Sequence, residues 1–412
     1  MAVRFHACHP DSGHGVTRLL RMSEKIDGTH DDGGSQGTAA SRLLLATNIW
    51  SEAPSPPAAP KPVPVLPPAP PPAPIVQAPA PVVMPAASIE QTRPNQWPPR
   101  KLSLALQGGG SFAAFTWGVL ERLLEQPSIE FDTISGASAG AINALLVAGG
   151  FAEGGREGAR SRLNRFWVRL MHEASFRSLM LIGGFSPAGS SVAFGPTLRS
   201  GQFDPFDLDP LRQALARDIN FEVLRDPKCP KLLIAATRIR DGQQQIFRND
   251  AVTADVALAS TCPPLVHCAV EIDGEAYWDG GFGGNPPLIK LARESTTADL
   301  LLVQVTPARD SYVPITLAAI DRRLDQIAAN AALKAEIAAI EWAQPHAAPT
   351  LRLSRIAAED SVDGLAQRSS TDLGRGFIRL LHRSGRAAAE RWLGANSIAT
   401  QRTLPAAEPA LA

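Results

Sequence analysis

The stretch SGASAGAINALLVAG, residues 135–149, decides the fold. It sets one serine, Ser138, between Gly136 and Gly140, directly after an apolar run (IEFDTIS, 129–135) and directly before a segment of helical period. In a G-x-S-x-G turn the chain passes from strand to helix so sharply that side chains at the flanking positions would meet neighbouring backbone, hence the glycines. The serine hydroxyl then stands out above a sheet, and the helix N-terminus behind it offers positive potential to nearby negative charge. A motif this short also occurs as a plain turn, so its surroundings have to decide.

Working outward, short apolar runs alternate with segments of helical period. LSLALQ (102–107) reads as a buried strand, GGG (108–110) as a turn, and FAAFTWGVLERLLE (112–125) as a helix with Phe115, Val119 and Leu123 on one face. Further strands are expected at 231–237 (KLLIAAT), 244–248 and 300–306 (LLLVQVT). The alternation predicts an α/β fold, a mainly parallel sheet covered by helices. After Pro314 the apolar spacing turns helical, with Ile320, Leu324 and Ile327, then Leu333, Ile337 and Ile340, which predicts C-terminal helices packed on the sheet domain.

Half of the 36 prolines fall within 54–99, a stretch that cannot donate enough backbone hydrogen bonds for helix or sheet. The residues before it are rich in Gly, Ser, His and Asp and show no sustained period. The domains expected are thus a disordered Pro-rich arm (1–99), a catalytic domain (100–312), helices packed on it (313–395) and a flexible tail (396–412). A start at Met84 would leave most of the arm off.

Net charge is zero with basic residues scattered, which argues against a nucleic-acid partner. Cys8, Cys229, Cys262 and Cys268 are too few for a disulfide framework and lack zinc spacing, so they read as small buried residues and no metal is expected. No run approaches the roughly 18 apolar residues of a membrane-spanning helix, and RLLLATNIW (42–50) is too short and too far in for a signal peptide. The expected location is the cytoplasm, with peripheral membrane contact left open.

Two further motifs bear on Ser138. Gly108, Gly109 and Gly110 follow the first strand and open a helix, and consecutive glycines let backbone N–H groups face a cavity, as an oxyanion hole needs. The same glycines satisfy G-x-G-x-x-A through Ala113, with Glu130 and Asp132 about 20 residues on, so a dinucleotide loop stands as an alternative. Against it, those acids begin or interrupt the second strand instead of ending it. In YWDGGFGGNPP (277–287), Asp279 sits on a turn with Gly280 and Gly281, where an acid can approach another backbone closely and face a serine as its base. The plain reading of that acid is an Asp stabilising its own turn.

LALQGGGSFAAFTWGVLERL (104–123), FDTISGASAGAINALL (131–146) and WDGGFGGNPP (278–287), in this order and at these separations, closely resemble the patatin-like phospholipases. The resemblance covers roughly 101–307. It implies a three-layer α/β/α sandwich, lipid acyl hydrolase activity on a lipid or acyl-ester substrate without a cofactor, and a Ser–Asp dyad in place of a triad. Carried over residue by residue, Ser138 is the nucleophile, Asp279 the general base, and the glycine-loop amides the oxyanion hole. The sequence departs from the family at the glycine loop, where G-G-G-x-R-G is common: Phe112 stands for the arginine and Ala113 for the last glycine. The backbone donors survive this change; any headgroup contact by the arginine does not.

A triad would need a histidine after the acid. His346 and His382 follow Asp279 and His267 precedes it, and all three read more simply as surface or packing residues. SFRSLMLIGGFSPAGSSVAFG (175–195) suits a cap or acyl-channel wall, or an ordinary loop, and ASTCPPL (259–265) reads as scaffold. Two other functions remain in competition: a catalytically weak lipid-binding or regulatory protein on the same fold, and the dinucleotide-binding enzyme.

Overall fold

In the computed structural model, which describes residues 97–177, 209–262, 269–343 and 350–394, every strand expected around the serine turn is present. β1 (Lys101–Leu106) leads through the glycine loop to α1 (Ala113–Leu124), and β2 (Glu130–Ala137) through Ser138 to α2 (Ala139–His172). α2 breaks its helical dihedrals at Gly154 and Gly155. There follow α3 (Asp209–Asp218), β3 (Lys231–Arg238), β4 (Gln244–Phe247), α4 (Ala254–Thr261), β5 (Val270–Ile272) and β6 (Glu275–Asp279). The remainder is α5 (Leu288–Glu294), β7 (Asp299–Gln304), α6 (Leu317–Ala343), β8 (Arg352–Ala357) and α7 (Arg375–Gly394).

The sheet runs β5-β6-β3-β2-β1-β7-β8, with β4 pairing β3 off this path. β3, β2, β1, β7 and β8 are parallel, and β4, β5 and β6 join antiparallel. Parallel strands need crossover helices, and these bury both faces. On one face Leu104, Leu106 and Ile134 pack against Phe115, Leu120, Leu145 and Ile378 of α1, α2 and α7; on the other Ala105, Leu300 and Leu302 pack against Leu288 and Leu291 of α5 and Leu333 of α6. The result is the mainly parallel α/β/α sandwich expected. Because β1, β2 and β7 point the same way, the loops after them share one edge of the sheet.

The C-terminal stretch differs from the expectation in two ways. It contains β8, an edge strand whose sequence, RLSRIA, has no apolar run to announce it. And α6 buries Leu333 and Ile340 but leaves Ile320, Leu324 and Ile327 exposed. The reason is angular: six residues separate Ile327 from Leu333, about 600° of helical rotation, so a single unbroken helix places the two sets on different faces. No helix among the described residues is long and apolar enough to cross a membrane.

Candidate active site

Ser138 joins β2 to α2 with φ 53° and ψ −132°, a left-handed backbone conformation that costs a non-glycine residue energy. The turn is held by close backbone contacts. A Cβ on Gly140 would lie 2.2 Å from the Leu106 carbonyl oxygen, and one on Gly136 would lie 2.7 Å from the Gly140 backbone, so both positions require glycine. The Ser138 N–H donates to Ser260 Oγ at 3.1 Å. Its hydroxyl does not cap α2, and its nearness to the Asp279 carboxylate favours the ionised form of that group.

Asp279 ends β6, paired with Ala236 of β3, and is buried to 2% exposure. Its N–H donates to the Cys262 carbonyl at 3.0 Å, and its own carbonyl accepts from Thr237 Oγ1 at 2.8 Å. The Gly281 N–H donates to Oδ1 at 2.7 Å, while a Cβ on Gly280 would fall 2.2 Å from the Ala235 oxygen, so the DGG turn can pass this close to β3 only as glycine. Burial pushes the Asp279 carboxyl up from 3.8 to about 7, against the lowering effect of the Gly281 N–H and the Ser138 hydroxyl.

The glycine loop lies against this pair, since a Cβ on Gly108 would be 2.7 Å from Ser138 Cβ. Asn285, buried beyond the DGG turn, grips Gly108 at both ends of its main chain: Oδ1 accepts the Gly108 N–H at 2.6 Å and Nδ2 donates to the Gly108 carbonyl at 3.2 Å. Thr306 Oγ1 donates to the same carbonyl at 3.2 Å. Gly108 is therefore an anchor and not a free donor, which amends the expectation that all three glycines donate. The N–H groups of Gly109 and Gly110 have no protein acceptor among the described residues, Gly110 having φ 56°. The next residues are tied down, with Ser111 N–H on the Ser370 carbonyl at 2.7 Å and Phe112 N–H on the Gly109 carbonyl at 3.1 Å. Phe112 itself is buried edge-to-face on Phe377, so the position that departs from the family pattern has become part of the α1–α7 core.

The other candidates fall elsewhere. His382 stacks on Trp117, ring centroids 3.8 Å apart, and its Nε2 lies 2.8 Å from Glu121 Oε2, a contact that holds the Glu121 carboxyl at about 2. It is a packing residue of the α1–α7 interface. His267 and His346 lie outside the described residues, as do Cys8 and Cys268 and all of the 175–195 segment after residue 177. Cys262 is buried, and burial pushes the Cys229 thiol up to about 12. Asp132, one of the acids of the dinucleotide reading, is engaged by Thr296 N–H (2.7 Å), Ser103 and Lys101 near the start of β2, at the opposite sheet edge from the glycine loop. Among the described residues no three His, Cys, Asp or Glu side chains converge as a metal site would.

A family model described as patatin-like phospholipase matches residues 104–292, the span that holds the elbow, the glycine loop and the DGG turn. The chain carries a patatin-like phospholipase domain. Proteins of the family are in general serine hydrolases acting on lipid esters. No curated protein matches the sequence. Among solved structures, the chain is similar to VipD from Legionella pneumophila at 13% identity, covering 73% of this chain and 68% of that one with a TM-score of 0.39.

Three neighbours of the patatin-like site went unread in the sequence: Ser260, Thr237 and Asn285. Ser260 lies in ASTCPPL, read only as scaffold, and Asn285 in WDGGFGGNPP, where only the acid and glycines drew attention. A buried polar residue inside an otherwise apolar or glycine-rich motif is the signal that could have found them, because such a residue must have a partner.

Proposed function

We propose that the protein is a serine lipid acyl hydrolase of phospholipase A or lysophospholipase type, cleaving fatty acyl esters through Ser138 and Asp279. The observation that carries this reading is the buried Asp279 carboxylate, its affinity for protons near neutrality and sensitive to the Ser138 hydroxyl, at the end of β6 on a sheet whose glycine loop lies against Ser138. An ordinary carboxylate is a poor base for a hydroxyl; one raised to about 7 is matched to neutral pH.

As Ser138 Oγ bonds to the ester carbonyl carbon, its proton passes to Asp279 and the carbonyl electrons move onto oxygen. The free N–H groups of Gly109 and Gly110 receive that oxyanion, a stabilisation whose loss typically costs about 2.7–4 kcal/mol per donor. Collapse breaks the bond to the alcohol, which leaves with the Asp279 proton. Water, deprotonated by Asp279, then attacks acyl-Ser138 and releases the fatty acid. No histidine is needed, and His382 is committed to Trp117 and Glu121.

The test is release of fatty acid from phosphatidylcholine and lysophosphatidylcholine by full-length wild type, Ser138→Ala and Asp279→Asn. The expected result is release by wild type and loss in both variants with the fold retained. Absence of release by wild type on these and on short-chain esters would favour the lipid-binding alternative on the same fold.

A further inference from the structure

The first half of α6 is inside out. Its inward side is polar: Gln326 Nε2 donates to the Ala366 carbonyl at 2.9 Å, and buried Asn330 donates to the Pro307 carbonyl at 3.0 Å and accepts from Gln304 Nε2 at 2.9 Å. Its outward side, with the loop before it, is apolar. Val313, Ile315 and Leu317 are 86, 89 and 79% exposed, and Ile320, Leu324 and Ile327 continue the stripe along the helix. Aliphatic side chains so exposed, and contiguous over one surface, mark a contact with something apolar.

The place of this surface narrows what that is. β7 ends on the loop edge of the sheet, and Thr306 just beyond it bonds to the Gly108 carbonyl, so the chain runs from the glycine loop straight into the apolar loop. Residues 308 and 309 are held to Glu359 by their N–H groups, on the loop after β8 at the same edge. Phe282, three residues after Asp279, is 43% exposed. Apolar side chains thus stand on the edge where Ser138 sits. Charge narrows it further: Arg309, Arg322 and Arg323 are balanced by Asp310, Asp321 and Asp325, which suits an uncharged or zwitterionic surface and not an anionic one. A second copy of α6 would need a seam along the whole helix, about 40 Å long. Beyond Ile327 the outward face is reduced to Ala331, Ala335 and Ala338 over three turns, and only Trp342, 81% exposed at the far end, restores an apolar side chain to it.

We infer that the 312–317 loop and the first three turns of α6 form a docking surface that inserts into a zwitterionic lipid bilayer and sets the site's edge against it. This rests on the reading of the site as a lipid acyl hydrolase, whose substrate lies in such a surface. The stripe is narrow and amphipathic, as interfacial segments are, and its binding follows buried apolar area with little dependence on salt.

The experiment separates docking from catalysis. Full-length Ser138→Ala, which leaves the lipid intact, is floated with phosphatidylcholine vesicles and compared with the same protein carrying Val313→Ser, Ile315→Ser and Leu317→Ser. Partitioning is expected to fall at least tenfold in the triple variant and to change less than twofold between 0.1 and 0.5 M salt. Trp342→Ser, at the far end of α6, is expected to float like the parent. In the active background, the triple variant should hydrolyse a monomeric short-chain ester at the wild-type rate while losing activity on vesicles. Failure of the parent to partition, partitioning undiminished in the triple variant, or a parental dimer that the triple variant disperses would each overturn the docking surface. Loss of monomeric ester hydrolysis in wild type would instead count against the reading of the site.

Discussion

On the proposed mechanism, the burial of Asp279 sets both when the site can work and what it costs the fold. With its carboxyl at about 7, roughly a tenth of the molecules have the base ionised at pH 6 and roughly nine-tenths at pH 8, so kcat/KM on a monomeric ester should rise about tenfold between them. The same rise has a sign in stability. The folded carboxyl holds its proton up to about pH 7 while the unfolded one ionises from about 3.8, so the unfolded state binds fewer protons in that window and stability falls as pH increases through it. At about 1.4 kcal/mol for each pH unit, the climb from 3.8 to about 7 corresponds to about 4 kcal/mol, all of it lost above neutrality. Asp279→Asn removes that dependence while keeping the size of the side chain. Urea unfolding of wild type and Asp279→Asn from pH 4 to 8 should therefore show the variant gaining on wild type up to about pH 7, with the difference constant above it. A flat rate between pH 6 and 8, or a stability difference independent of pH, would refute a buried base titrating near neutrality.

Asn285→Ala strips both main-chain groups of Gly108 of their amide partner, and should lower kcat/KM about 10- to 100-fold, mostly in kcat, with esterase kinetics as the assay. Ser260→Ala removes the acceptor of the Ser138 N–H; it should cost about 0.5–1.5 kcal/mol in urea unfolding and less than tenfold in kcat. Gly385→Ala would place a Cβ 2.1 Å from the Phe115 carbonyl oxygen, where α7 crosses α1, and should destabilise by about 1–3 kcal/mol in the same measurement, leaving the pH profile of kcat/KM unmoved.

What could be read from the sequence was local. The elbow, the glycine loop and the DGG turn each fit within a few residues, because the steric demand for glycine acts between near neighbours and leaves a visible pattern. Their convergence followed from strand order, which the alternation of strand and helix left open: it predicted a mainly parallel sheet, whereas Asp279 arrives on β6, antiparallel to β3. The fixing of the glycine loop and of the serine turn was hidden, because Asn285 lies 177 residues from Gly108 and Ser260 lies 122 from Ser138, and no local pattern encodes such pairings. β8 was hidden for another reason: an edge strand need not be apolar, and RLSRIA is half charged or polar. The apolar spacing in α6 correctly announced a helix but not its orientation. Period identifies a stripe; only packing tells whether the stripe faces the core, and here the half with Gln326 and Asn330 turns its polar side inward.

The central claim is that Ser138 becomes acylated with Asp279 as its base. Rapid mixing of the full-length protein with a chromogenic medium-chain ester, followed by mass analysis of the quenched protein, reads this directly. The account predicts a burst of one chromophore per protein, an acyl adduct on the peptide bearing Ser138, no burst in Ser138→Ala and a slowed one in Asp279→Asn. Turnover that survives in Ser138→Ala, or an adduct on any other residue, would contradict it.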